Sequence, residues 1–196
     1  MDTYSLNGYE IILASGSPRR KDFLNQIGLP FTIKTFDVEE SFPNYLKGRE
    51  IADYIVAKKS APFKEIIQPK QIVITADTIV WCENEYLGKP KDETDAKKML
   101  QKLSGKSHEV ITAVGFLFDG HFDIITEITE VHFKALSEIE IDQYISQHNP
   151  LDKAGAYGIQ DWIGEIGIIK INGSYTNVVG LPLAQVFQKI KSIIQN

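Results

Sequence analysis

A chain of 196 residues with 43% hydrophobic and 24% charged content carries enough apolar material for a full core and has the balance of an ordinary globular domain. Its formal net charge of -5 argues against non-specific binding to nucleic acid or to an anionic membrane surface, yet leaves room for one small anion on a local basic cluster. Its single cysteine, Cys82, excludes an internal disulfide and fits a reducing compartment.

The first ten residues, MDTYSLNGYE, lack a basic-then-apolar pattern, and no stretch nears the length of a membrane span, so a cytoplasmic protein is expected. Ile11, Ile12 and Leu13 form a short apolar run that suits a strand covered on both faces. Ser17 before Pro18 predicts a helix start, because a serine N-cap bonds orphan amides and proline needs no amide partner at the first helical position. Phe23, Leu24 and Ile27 then share a helical face, and Gly28 is placed to end the helix. The turn between strand and helix offers Ser15, Gly16 and Ser17, followed at once by Arg19 and Arg20. Hydroxyls, a glycine that lets backbone approach, free amides and two guanidiniums suit a phosphate. The alternative is a capped surface helix with two solvated arginines.

Residues 31–36 predict a second strand and 37–48 an acidic loop. Residues 50–63 have helical periodicity through Ile51, Tyr54, Ile55 and Ala61, ending at Pro62. QIVITA, residues 71–76, reads as a second buried strand closing on Asp77 and Thr78, with 79–82 continuing extended and 83–85 forming a tight turn. Residues 93–103 form an amphipathic helix (Ala96, Met99, Leu100, Leu103) stopped by Ser104-Gly105. The clearest local signal is the pair of β-prone runs 110–118 and 122–133 around the hairpin turn Asp119-Gly120. The second run interleaves Thr and Glu and predicts a half-exposed strand with a slip or bulge. Ser137 opens a helix running to residue 147, with Glu140 at the reciprocal capping position. Residues 150–160, PLDKAGAYGIQ, are too rich in glycine and small residues to be regular throughout. Residues 166–171 read as a short strand, 172–174 as a turn and 177–181 as a loop or strand end. Pro182 opens a C-terminal helix with Leu183, Val186, Phe187, Ile190 and Ile194 on one face. No repeat or linker intervenes. This order predicts a single domain over 1–196 with a mixed-sheet α/β fold and a ligand cleft. The long hairpin offers an edge for a homodimer.

Three polar constellations stand against the apolar pattern: the 15–20 turn, Asp77-Thr78 after a buried strand, and the lysines Lys59 and Lys89. A carboxylate near basic groups and a bound phosphate positions a divalent metal or activates a water. The alternatives are a turn residue at Asp77 and solvated lysines. His108, His121, His132 and His148 lack metal-ligand spacing, and Cys82 reads as a small apolar group. Trp81 and Trp162 read as core residues rather than base-stacking ones. No GxxxxGK[ST] or GxGxxG motif occurs.

Seven stretches together resemble the Maf-like nucleoside triphosphate pyrophosphatases over nearly the whole chain. They are ASGSPRR (14–20), Glu39-Glu40, ADT (76–78), GKP (88–90), LSG (103–105), DKAGAYGIQ (152–160) and INGSYTNVVGLPL (171–183). The resemblance implies an α/β fold with a mixed, strongly twisted sheet flanked by helices, two lobes around a deep nucleotide-binding cleft, as in inosine-triphosphatase-like proteins. It implies hydrolysis of a nucleoside triphosphate to monophosphate and pyrophosphate with a divalent cation, Mg or Mn, in clearing the nucleotide pool. By motif, Asp77 looks like the base that activates water for attack at the α-phosphorus. Ser15, Arg19, Arg20, Lys59 and Lys89 look like the phosphate-handling set, and Glu40 joins Asp77 at the metal. Arg19, Thr78 and Gln160 match the subgroup acting on dTTP and UTP; a glutamine amide both donates and accepts, as a pyrimidine carbonyl and imide edge requires. The stretch IVAKKS (55–60) departs from the family's Leu-Ala-x-x-Lys-Ala, and spacing to Asp77 favours Lys59 over Lys58. Other readings within reach of the resemblance are a nucleotide-binding regulator of septum formation and a pyrophosphatase for purine or modified nucleotides.

Overall fold

A computed structural model describes residues 6–195; part of the N-terminal segment read above for a targeting signal, residues 1–5, lies outside them, as does Asn196. Strand β1 (Glu10–Leu13), helix α1 (Pro18–Gln26), a two-residue strand β2 (Thr32–Ile33) and helix α2 (Arg49–Ser60) come first. A 3₁₀ turn at Ala61–Phe63 leads to the long strand β3 (Gln71–Cys82), then β4 (Glu85–Leu87) and α3 (Glu93–Leu103). The hairpin of β5 (Ser107–Phe118) and β6 (His121–Phe133) precedes α4 (Glu138–Gln147) and two 3₁₀ turns, Pro150–Asp152 and Ala154–Ala156. The chain finishes with α5 (Trp162–Gly167), β7 (Ile168–Asn172), α6 (Tyr175–Val179) and α7 (Leu183–Gln195). The strands form one seven-stranded mixed sheet of order β2-β1-β3-β5-β6-β7, with β4 paired to β3. None of the helices among the described residues is long and apolar enough to cross a membrane.

The chain divides into two compact units interleaved in sequence. One comprises Met1–Asp77, Thr112–Thr126 and Gly180–Asn196; the other comprises Thr78–Ile111 and Glu127–Val179. In the first, Ile12, Phe63, Val73 and Leu117 pack together under Ala14, Ile67 and Phe122, and Phe36 meets the Phe63 ring edge-on. The second is built around Leu100, Leu103, Val131, Phe133, Tyr144 and Ile163. Full burial of each such side chain contributes about 1.5–3 kcal/mol.

Local signals placed several elements. Helix α3 runs as its pattern predicts, because Asp92 accepts the amide of Asp95 at its start and Gly105, at φ 70°, turns the chain beyond its end. Ser137 and Glu140 make the full reciprocal cap of α4. Asp119 and Gly120, both at positive φ, make the tight hairpin turn. The expected irregularity in β6 is a register shift against β7 at His132/Phe133.

Other expectations are corrected. The strand at 31–36 shrinks to Thr32–Ile33, both exposed, because β2 has only the end of β1 to pair with. Ser17 stands at the N-cap of α1 with Pro18 behind it, but its side chain caps no amide. In α2 the buried face carries Ile51, Ala52, Ile55 and Val56, while Tyr54 and Ala61 are exposed. Residues 166–167 end α5 rather than open a strand, and 177–181 overlaps α6, where Ser174 Oγ accepts the Asn177 amide at 3.3 Å. In α7 the buried residues are Val186, Ile190 and Ile193, with Ile194 half-buried. Within the hairpin, β5 lies inside the strand order, and β6 pairs with β7 along Glu130–Phe133.

His108 is buried in β5 with Nε2 at 2.7 Å from the Tyr157 hydroxyl, and its Nδ1 has no partner among the described residues. An imidazolium there would bury two donors with one acceptor, and burial pulls its pKa from 6.5 down to about 3. Between those values the unfolded chain holds a proton that the folded chain lacks. The group's contribution to stability is therefore complete above pH 6.5 and drains away as pH falls towards 3, at about 1.4 kcal/mol per pH unit. Urea unfolding at pH 7 and pH 5 should show the parent losing about 2 kcal/mol more than His108→Phe; equal losses would refute this.

Candidate active site

Strand β3 pairs with parallel β1 from Glu10↔Gln71 to Leu13↔Ile74 and with antiparallel β4 over Val80–Cys82. Thr75 to Ile79 lies between these two ladders. At Leu13 strand β1 ends, and the chain turns through Ser15-Gly16-Ser17 into α1. Asp77 and Thr78 therefore sit in mid-strand rather than after a strand end, because β4 extends the pairing that β1 leaves off.

Arg20 fills the space where β1 stops. Its Nη1 donates to Ser15 Oγ at 3.1 Å and to the Ala76 carbonyl at 3.0 Å, and its Nε donates to the Gly180 carbonyl at 2.9 Å. Burial pulls the Arg20 guanidinium below its ordinary pKa, while the charge of Asp77 acts the other way. Arg20 thus clamps the turn to β3 and to the segment ahead of α7. The Ser15 hydroxyl also accepts the Ser17 amide at 3.3 Å. A Cβ built on Gly16 would meet no atom within 4 Å, so the outer face of the turn is open to a ligand. Arg19 is half-buried beside Arg20.

Lys59 is the lysine that faces Asp77. Its Nζ lies 2.7 Å from Asp77 Oδ1 and 2.8 Å from Glu40 Oε1, with the Ala76 carbonyl at 3.5 Å. Lys58 points elsewhere, donating to the carbonyl and hydroxyl of Ser41 at 3.0 and 3.2 Å. Helix phase explains the difference: Lys59 follows the buried Ile51 and Ile55 at four-residue steps, whereas Lys58 follows the exposed Tyr54. Burial pushes the Asp77 carboxyl above its usual range, partly offset by Lys59 and Arg20. A buried carboxylate of raised basicity, held by one ammonium, has the chemistry of a general base.

The first unit therefore brings together Ser15, Arg20, Glu40, Lys59 and Asp77, with Arg19 beside them. Thr78, Lys89 and Gln160 belong to the second unit. There Thr78 is half-buried in β3, Lys89 is exposed after β4, and Gln160 is exposed in the turn before α5. Gly180, whose carbonyl anchors Arg20, lies in the stretch 171–183 that carries the resemblance, but sequence reading gave it no part in the site. No group of three or more His, Cys, Asp or Glu among the described residues could hold a metal ion. The four histidines stay outside the site, and Cys82 is a buried free thiol.

The α/β fold is shared with Ham1 proteins. The solved structure of the Staphylococcus aureus Ham1 protein matches at a TM-score of 0.53 and 18% identity, covering 93% of this chain and 99% of that one. A HAM1 protein from Coxiella burnetii matches at 0.51 and 14%, covering 94% and 99%. The chain belongs to the Maf family: the model described as Maf-like protein matches residues 10–193. A dTTP/UTP pyrophosphatase of Phocaeicola vulgatus is 47% identical over 190 residues, covering 96% of this chain and 98% of its own. One from Flavobacterium psychrophilum is 50% identical over 178 residues, covering 91% of each.

Proposed function

We propose that this protein hydrolyses dTTP and UTP to the monophosphate and pyrophosphate in the cytoplasm, with Asp77 as the base for water attack at the α-phosphorus. The observation that carries this reading is the convergence of Asp77 and Glu40 on Lys59, beside a turn with an open outer face. The names of the relatives support the same reaction. Arg19 and the Ser15 turn at the start of α1 bind phosphate oxygens. Lys59 holds Asp77 in position and balances charge as the bond to the leaving pyrophosphate breaks. Arg20 acts from behind, fixing Ser15 and the backbone next to Asp77.

Two carboxylates without further protein ligands fit a hard divalent cation, Mg or Mn, that arrives with the triphosphate, since such ions bind through one or two carboxylates plus phosphates. Glu40 and Asp77 would hold it, and when bound it would supply charge neutralisation on the phosphates.

A screen of nucleoside triphosphates with defined metals, scored for monophosphate and pyrophosphate, tests the reading. Turnover confined to purine nucleotides, or nucleotide binding without turnover, would overturn it. Within that screen, Gln160→Ala should lower kcat/KM for dTTP and UTP about tenfold relative to other bases, as expected for one lost amide contact. Equal loss on all bases would remove Gln160 from base recognition.

A further inference from the structure

We infer that Asp161, held by Tyr144, is a positioning residue for Gln160 and so sets the preference for the base. The inference rests on the reading of Gln160 given above. Gln160 sits with Ile159 in a turn closed by the Asp161 amide donating to the Gly158 carbonyl at 3.1 Å. Its side chain is exposed, so its placement depends on the backbone on either side of it.

That backbone is pinned at both flanks. Upstream, the buried Tyr157 bonds His108 Nε2 at 2.7 Å and lies edge-on to Phe133. The Gly155 amide donates to the Gly88 carbonyl at 3.0 Å, next to Lys89. Downstream, Asp161 stands at the N-cap of α5, where an aspartate normally accepts first-turn amides. It caps none. Its Oδ2 instead accepts the Tyr144 hydroxyl at 2.7 Å and lies 3.4 Å from Lys153 Nζ. The carboxylate lies so close over Gly158 that a Cβ there would stand 2.7 Å from Oδ2. Gly164 completes the seat: its Cβ would meet the Ile159 carbonyl at 2.3 Å, so only glycine lets the turn rest on α5.

Tyr144 comes from α4, and its ring is fully buried. Burial and the Asp161 carboxylate push its hydroxyl well above the ordinary pKa, so it remains a donor across the working pH range. A carboxylate withdrawn from capping and spent on locking a turn is explained by a need to aim the residue in that turn. Small misplacement of a recognising group costs far more than the contact that placed it.

The test compares kcat/KM on dTTP, UTP, dCTP and dATP for the parent, Tyr144→Phe, Gly158→Ala and Gln160→Ala, together with inhibition by pyrophosphate. Tyr144→Phe removes one hydroxyl, and Gly158→Ala displaces the Asp161 carboxylate without removing any polar group. Both should reduce the ratio of dTTP to dCTP turnover about tenfold, with pyrophosphate inhibition unchanged. Thermal unfolding checks that each variant folds; should Tyr144→Phe fail to fold, Gly158→Ala decides. If Gln160→Ala collapses the ratio while the other two keep it, or lose activity equally on every base, the inference falls and the reading of Gln160 stands. If Gln160→Ala itself keeps the ratio, that reading falls and the inference falls with it.

Discussion

Asp77→Asn is expected to bind dTTP about as the parent does while turning it over about a thousandfold more slowly. The amide is nearly isosteric, so the strand and its neighbours keep their places. What is lost is the basic oxygen: the amide cannot take a proton from water, and it no longer draws the Lys59 ammonium as the carboxylate does at 2.7 Å. Lys59 retains Glu40 at 2.8 Å, so the site keeps one ion pair. Pyrophosphate release under single-turnover conditions, set beside calorimetric binding of dTTP, checks both halves. Unchanged release would remove Asp77 from the chemistry.

Arg20→Met is expected to lower stability by about 3–5 kcal/mol, because it strips charge-assisted bonds from groups inside the fold. Ser15 Oγ and the carbonyls of Ala76 and Gly180 all lose the same donor. For a chain of this size the melting temperature should fall by about 10 °C. Arg19→Met makes the contrast: on the proposed roles it should weaken nucleotide use while melting close to the parent. Equal melting temperatures for the two variants would show that Arg20 is not the clamp its bonds describe.

How far the sequence carries the fold depends on where the deciding interaction lies. Asp92, Gly105, Ser137-Glu140 and Asp119-Gly120 act within a few residues of themselves, so α3, α4 and the hairpin are readable from local chemistry. Helices α5 and α6 are not, since WIGEIG carries two glycines and YTNVV is short and β-branched. What holds α6 is distant: Asn177 Nδ2 donates to the Val110 carbonyl at 3.0 Å and to Thr129 Oγ1 at 2.9 Å. The site divides in the same way. Asp77 and the phosphate-like turn are visible as polar interruptions of apolar runs, and the choice of Lys59 over Lys58 was latent in the phase of α2. The inward role of Arg20 was not legible, because its carbonyl partners lie 56 and 160 residues away along the chain.

The unbroken course of β3 through Asp77 bears on motion. Ladder-bonded strands in a core open only in rare, cooperative fluctuations, whereas turns reorient on far shorter timescales. The carboxylate is thus mounted on the slow part of the molecule and needs no assembly when a substrate arrives. Gln160 sits in a turn, and the bonds that hold it are those of its flanks. On the proposed roles, a change in the base accepted would come from re-aiming that one turn, with β3 and its carboxylate left in place.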